Sequence, residues 1–356
     1  MLDNRLVPSD RAFLFQSVSD VWFLRLPEDS QIRIGGGDPR EVMYGIDSGS
    51  KMEKNAEEEK KEPGGTSAGK TSVPRPALEE LHDLIGLREL KEKVDEIVQY
   101  TAFRRKLQKL GRNTGESVNL NFAFLGNPGT AKTTAARLLA RVMKEQGILE
   151  KGELIEVGRA DLIAKYTGQT AIKVQDVFQR AEGSVLFIDE AYSLLDGWEN
   201  EFGDEAIATI VQEMENQRDR LIVIFAGYPE KMETFLSRNP GLRSRIPFVI
   251  PFADYSADEL VQITESEAVR RGYALAAGAG ERIREICADA MKHEDFGNGR
   301  FCRNLLDAAE LRYAARTAGL DAFPMDDEGR LLLEAEDFPA SEPPKAEKPR
   351  IGFSAA

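Results

Sequence analysis

GNPGTAKTTAARLLARVMKEQ, Gly126 to Gln146, decides how this chain is read. Its opening, GNPGTAKT, fits the phosphate-loop pattern G-x-x-x-x-G-K-[ST] except at Ala131, where the pattern has glycine. Another stretch, GGTSAGKT from Gly64 to Thr71, fits the pattern in full. Context separates the two. Such a loop works by aiming successive backbone N–H groups inward at the head of a helix, with a buried strand in front to hold it rigid. NFAFL before Gly126 reads as a strand buried on both faces, and KTTAARLLARVMKEQ is a strong helix former. Around Gly64, KKEP precedes and SVPRP follows, so prolines forbid a helix there. GGTSAGKT is therefore a chance match in a polar linker, and Lys70 is assigned no nucleotide.

The loop at Gly126 predicts an ATP site. Gly126, Asn127, Pro128, Gly129, Thr130, Ala131, Lys132, Thr133 and Thr134 form the phosphate cradle. Lys132 reaches the β- and γ-phosphates as a point charge, and the Thr133 hydroxyl ligates Mg²⁺. Gly126 and Gly129 are expected to take backbone angles that other residues avoid. Ala131 is expected in the first helical turn, where a methyl group is tolerated.

Outward from the loop, strand and helix alternate as in an α/β fold with a mostly parallel sheet between helices. Five strands are predicted at Asn119 to Leu125, Glu153 to Val157, Ser184 to Asp189, Leu221 to Gly227 and Pro247 to Phe252. After Phe252 no further strand is read. Ser256 and Glu259 have capping-box spacing, and three helical runs follow, so residues 253–320 form an all-helical lid on a core of residues 77–252. Residues 1–47 read as a small accessory or docking segment with a strand at Val21 to Leu26, and residues 48–76 as a disordered linker rich in Lys, Glu, Gly, Ser and Pro. Residues 321–356 read as an acidic, Pro-rich tail, largely disordered.

Composition narrows the function classes. A net charge of −14 over 356 residues argues against a protein that grips nucleic-acid backbones. Cys287 and Cys302 lack metal-ligand spacing and read as buried free thiols, and two histidines are too few for a His-based metal site. No basic leader or long apolar run is present, so the chain reads as soluble and cytoplasmic.

SVLFID ends in Asp189 and Glu190, two carboxylates at the carboxyl end of a buried parallel strand, where open α/β sheets place ligands. Asp189 suits the Mg²⁺ shell. Glu190 suits polarising the attacking water.

With these motifs in order, GNPGTAKTT, LIAKYTGQT, VLFIDEAYSL, FAGYPEKM, NPGLRSRIPF and FGNGRFCRNLLD, the chain resembles the AAA+ ATPases. Within them it is similar to the group containing stage V sporulation protein K and the red-type Rubisco activases, over roughly Leu78 to Gly319. The resemblance implies a hexameric ring of identical subunits acting on a protein substrate. It implies an arginine finger at Arg245, or else Arg243, completing a neighbour's site, and a sensor 2 at Arg300 or Arg303. Where many members carry a polar sensor 1, this chain has Tyr228, as fit to pack as to reach a phosphate. The pore loop would be Tyr166, Thr167 and Gly168, with Tyr166 gripping extended polypeptide; Tyr166 as a core residue is the competing reading. Two functions stay open: a motor that threads or remodels protein, and a nucleotide-gated scaffold that recruits partners without translocation.

Overall fold

The computed structural model describes residues 14–18, 21–25, 31–33, 75–112, 118–166, 168–195, 200–293 and 296–339. The chain divides into two units, Met1–Lys70 and Thr71–Ala356. In the first, β1 (Leu14–Val18), β2 (Val21–Arg25) and β3 (Gln31–Arg33) pair antiparallel with β2 in the middle. The strand expected at Val21 is present, and the Gly64 to Thr71 match lies outside the described residues.

The second unit starts with α1 (Ala77–Asp83) and α2 (Arg88–Lys109) and then builds its sheet from β4 (Phe122–Gly126), β5 (Leu154–Val157), β6 (Val185–Ile188), β7 (Ile222–Gly227) and β8 (Phe248–Phe252). The spatial order is β5-β6-β7-β4-β8, and every neighbouring pair is parallel. All five predicted strands appear, trimmed at their ends. β6 and β7 are buried along their whole length, which is why they read as unbroken apolar runs. One face, with Phe122, Phe124 and Phe187, packs on α1 and on α3 (Lys132–Glu145) through Leu81, Leu139 and Met143. The other face, with Leu186, Ile188 and Phe225, packs on α5 (Thr170–Arg180), α6 (Asn200–Asn216) and α7 (Pro229–Arg238), which follow the one-turn helix α4 (Arg159–Leu162). A further short helix, α8 (Pro240–Arg243), precedes β8. Because the chain leaves β4 for the edge strand β5 and works back through β6 to β7, β7 comes to lie beside β4, and the loop after β4 opens next to the carboxyl ends of β7 and β6.

The lid consists of α9 (Ala257–Arg270), α10 (Ala279–Ala290) and α11 (Gly299–Thr317) around its own core. Ser256 and Glu259 make the predicted capping box, the Glu259 N–H donating to Ser256 Oγ at 3.3 Å and the Ser256 N–H to Glu259 Oε2 at 2.8 Å. Cys287 and Cys302 are buried there as free thiols. Among the described residues no helix is long and apolar enough to cross a membrane.

Two expectations fail in the lid. Strands do not end at Phe252: β9 (Tyr273–Leu275) and β10 (Leu331–Leu333) form a parallel pair. Residues 321–339 are not a disordered tail either, since Leu333 and Phe338 are buried in the lid core. The reason is a partner distant in sequence. Arg316 forks onto Asp337, Nε–Oδ1 at 2.9 Å and Nη2–Oδ2 at 2.7 Å, and holds Glu334 at 2.9 Å, which ties the acidic LEAEDF segment to α11. The Asp337 carboxylate is 1% exposed, so losing its partner strands a buried charge. Arg316→Ala is expected to destabilise the lid by roughly 3 kcal/mol, read as a lower urea midpoint by circular dichroism; an unchanged midpoint contradicts the staple.

Candidate active site

The carboxyl ends of β4, β6 and β7 open into a cleft of about 490 Å³ that the lid covers. Gly126, Pro128, Gly129, Ala131, Lys132, Thr133 and Thr134 line it from the loop after β4, Asp189 and Glu190 from the end of β6, and Tyr228 from the end of β7. Arg300 enters from the first turn of α11 and Arg303 from the second. Asn127 and Thr130 belong to the loop without lining the cleft. Thr130 is fully buried with Oγ1 donating to the Asn127 carbonyl at 2.8 Å, and the Asn127 amide bonds Asp254 at 2.9 Å.

The Lys132 ammonium donates to the carbonyls of Gly126 at 2.8 Å and Asn127 at 2.7 Å. Burial pushes its pKa down; the Asp189 charge opposes that and the Arg300 charge adds to it. One cation of the loop therefore feels Asp189 at the end of β6 as well as Arg300 of the lid.

Backbone angles correct the reading of the loop. Helix α3 starts at Lys132, so Ala131 is its N-cap residue, at φ 65° and ψ 22°, and not part of its first turn. That is the left-handed region, which explains why the pattern has glycine here: a β-carbon in that conformation costs about 1–2 kcal/mol. Gly129 does take a positive φ, 76°. Gly126 does not; it is required because a β-carbon there would overlap the Phe252 carbonyl oxygen. Ala131→Gly is expected to raise stability by about 0.5–1 kcal/mol after the added freedom of the unfolded chain is counted, with ATP affinity kept within about twofold; a lower melting temperature contradicts the strain.

Glu190 is a second strained residue, at φ 47°. The Asp189 N–H donates to the Val157 carbonyl at 3.0 Å, and Asp189 Oδ1 accepts the Glu190 N–H at 3.0 Å, so the acidic pair is a tight turn pinned to β5. Tyr228 packs near Tyr192, ring centroids 6.1 Å apart, with the Lys231 ammonium over both rings.

The remaining predicted residues lie outside the cleft. Arg243 ends α8 and is exposed. Arg245 is half-buried, with Nε and Nη2 each 3.1 Å from Glu215 and Nη1 donating to the Gly241 carbonyl at 3.2 Å. Its own carbonyl accepts from the side-chain amides of Asn119 and Asn121. Tyr166 is 69% exposed, which rules out the core reading, and Gly168 has φ 76°; Thr167 lies outside the described residues. Sequence reasoning missed the apolar end of the cleft, made by Leu84, Ile85, Tyr255 and Ile263. The available signal was LIG at Leu84 to Gly86, an apolar pair before a left-handed glycine of φ 69°.

Residues 122–253 match the model of the ATPase family associated with various cellular activities, AAA, and residues 256–348 match its lid domain. Over 272 residues the chain is 41% identical to protein CbbX of Cereibacter sphaeroides, covering 76% of this chain and 88% of that protein. The chain belongs to the AAA+ ATPases. This AAA+ protein is also 37% identical over 276 residues to stage V sporulation protein K of Bacillus subtilis, covering 77% of this chain and 85% of that one. It is 40% identical over 257 residues to a chloroplastic ribulose bisphosphate carboxylase/oxygenase activase of Cyanidioschyzon merolae, covering 72% and 87%. The AAA+ chain is thus an ATP-hydrolysing enzyme, and the cleft at the end of β4 is where its nucleotide chemistry is sought.

Proposed function

We propose that this AAA+ ATPase forms a hexameric ring that remodels a protein substrate by drawing an extended segment into its central pore, in the cytoplasm. The observation that carries the reading is Tyr166: a large aromatic side chain left exposed two residues before a glycine of positive φ, away from the nucleotide cleft. Such a ring grips varied side chains through apolar contact. The name of one relative, a carboxylase activase, is that of a protein acting on another protein, which supports a protein substrate here.

Within the cleft, the apolar end at Leu84, Ile85 and Ile263 suits the base, and the loop at Gly126 to Thr134 suits the phosphates. Lys132 pairs with the β- and γ-phosphates. The Thr133 hydroxyl and the Asp189 carboxylate are hard oxygen donors that both line the cleft, the set that Mg²⁺ takes together with phosphate oxygens. When bound, the ion would neutralise charge on the transferring phosphoryl group. Glu190 takes the proton of the attacking water. Arg300, with Arg303 one turn further along the same helix, reads the γ-phosphate from the lid. Arg243 is exposed and has no ion pair among the described residues, so it is free to act as the finger in a neighbour's cleft; Arg245, forked to Glu215, shapes the loop that presents it.

Substrate captured on the ATP-loaded Glu190→Gln ring supplies the test. With that substrate, Tyr166→Ala is expected to lose about tenfold of stimulated turnover, the worth of one aromatic contact. Undiminished stimulation would favour the nucleotide-gated scaffold.

A further inference from the structure

The start of α11 is bound to the phosphate loop by contacts that neither the loop pattern nor the lid arginines explain. Asn298 is fully buried, holds φ 48°, and uses its whole amide. Oδ1 accepts the Tyr255 N–H at 3.0 Å, while Nδ2 donates to Asp254 Oδ1 at 2.7 Å and to the Pro128 carbonyl at 3.3 Å. Asp254 also accepts both contacts of the Asn127 amide, at 2.9 and 3.1 Å. One residue on, the Gly299 N–H donates to the Gly129 carbonyl at 3.1 Å, and a β-carbon on Gly129 would overlap the Gly297 carbonyl. The Tyr255 hydroxyl donates to the Thr130 carbonyl at 3.5 Å. Four consecutive loop residues, Asn127 to Thr130, are thus each bonded to a residue of the lid.

The geometry points to Asn298 and Asp254 as positioning residues: a polar latch that fixes Arg300, two residues beyond Asn298, against the phosphate loop, so that lid angle and loop conformation change together. The latch rests on the proposed role of Arg300 at the γ-phosphate. Its physical basis is that a buried amide is costly to leave unpaired, so the contact is either made or broken as a set and does not stretch by degrees. At φ 48° and ψ −124° the backbone of Asn298 lies outside the left-handed helical well, a conformation that any β-carbon strains, and its amide supplies the donor and the acceptor that hold it there. Asp254, exposed at the rim, joins the two amides.

The test measures ATP and ADP dissociation constants and kcat for wild type, Asp254→Ala, Arg300→Ala and the double variant. Asp254→Ala is expected to reduce the preference for ATP over ADP by about tenfold and to lower kcat. Arg300→Ala should do at least as much, and the double variant no more than Arg300→Ala alone. Asn298→Gly, which accepts the positive φ without strain and removes the amide, should reproduce the Asp254→Ala shift. If Arg300→Ala shifts the preference and Asp254→Ala does not, or if the two effects add, the latch is wrong. If Arg300→Ala itself leaves the preference unchanged, the role of Arg300 fails and the latch fails with it.

Discussion

Lys132→Ala is expected to weaken ATP binding by about 10²–10³-fold, the loss of one desolvated charge pair, and to leave no measurable turnover. The lysine is held where it matters. Its ammonium sits 2.7–2.8 Å from two loop carbonyls at the strand end, and Asp189 and Arg300 both act on it. Arginine is not a substitute, because the planar guanidinium cannot occupy a pocket shaped around a point donor between those carbonyls. Equilibrium titration with a fluorescent ATP analogue reads the first effect and phosphate release the second; circular dichroism checks that the fold is kept. Wild-type affinity in Lys132→Ala would remove the phosphates from this loop.

Glu190→Gln separates binding from chemistry. The amide keeps the size of the side chain and the left-handed turn at φ 47° but cannot take a proton from water. Turnover is expected to fall by about 10²–10⁴-fold, with ATP affinity within about threefold of wild type. The contrast with Lys132→Ala is the diagnostic: one variant loses the nucleotide, the other retains it without cleaving it. If Glu190→Gln hydrolyses ATP at the wild-type rate, the water is activated by another group.

The core sheet was legible because β6 and β7 are buried on both faces and flanked by amphipathic helices, so period and composition agree at every position. The loop's place between strand and helix was legible for the same reason. Ala131 was misread because helix propensity is a property of helix interiors, and the boundary falls one residue later, at Lys132. The order of the 331–339 segment was invisible because it comes from Arg316, a residue on the preceding helix, while LLLEAEDFP read locally is a short apolar run that gives way to acids and a Pro-rich end. The same blindness covers Asp254 and Asn298: each looks like an ordinary turn residue until the fold brings them within 2.7 Å. Arg243 and Arg245 are equivalent as letters, and only the fold separates them, leaving Arg243 exposed and half-burying Arg245 against Glu215.

One measurement bears most directly on the central claim that the imperfect loop, and not the pattern-perfect one, holds ATP: titrating Lys70→Ala and Lys132→Ala with the same nucleotide, side by side. The account predicts wild-type affinity and turnover for Lys70→Ala and loss of both for Lys132→Ala. The reverse pattern, binding lost at Lys70 and kept at Lys132, would contradict it.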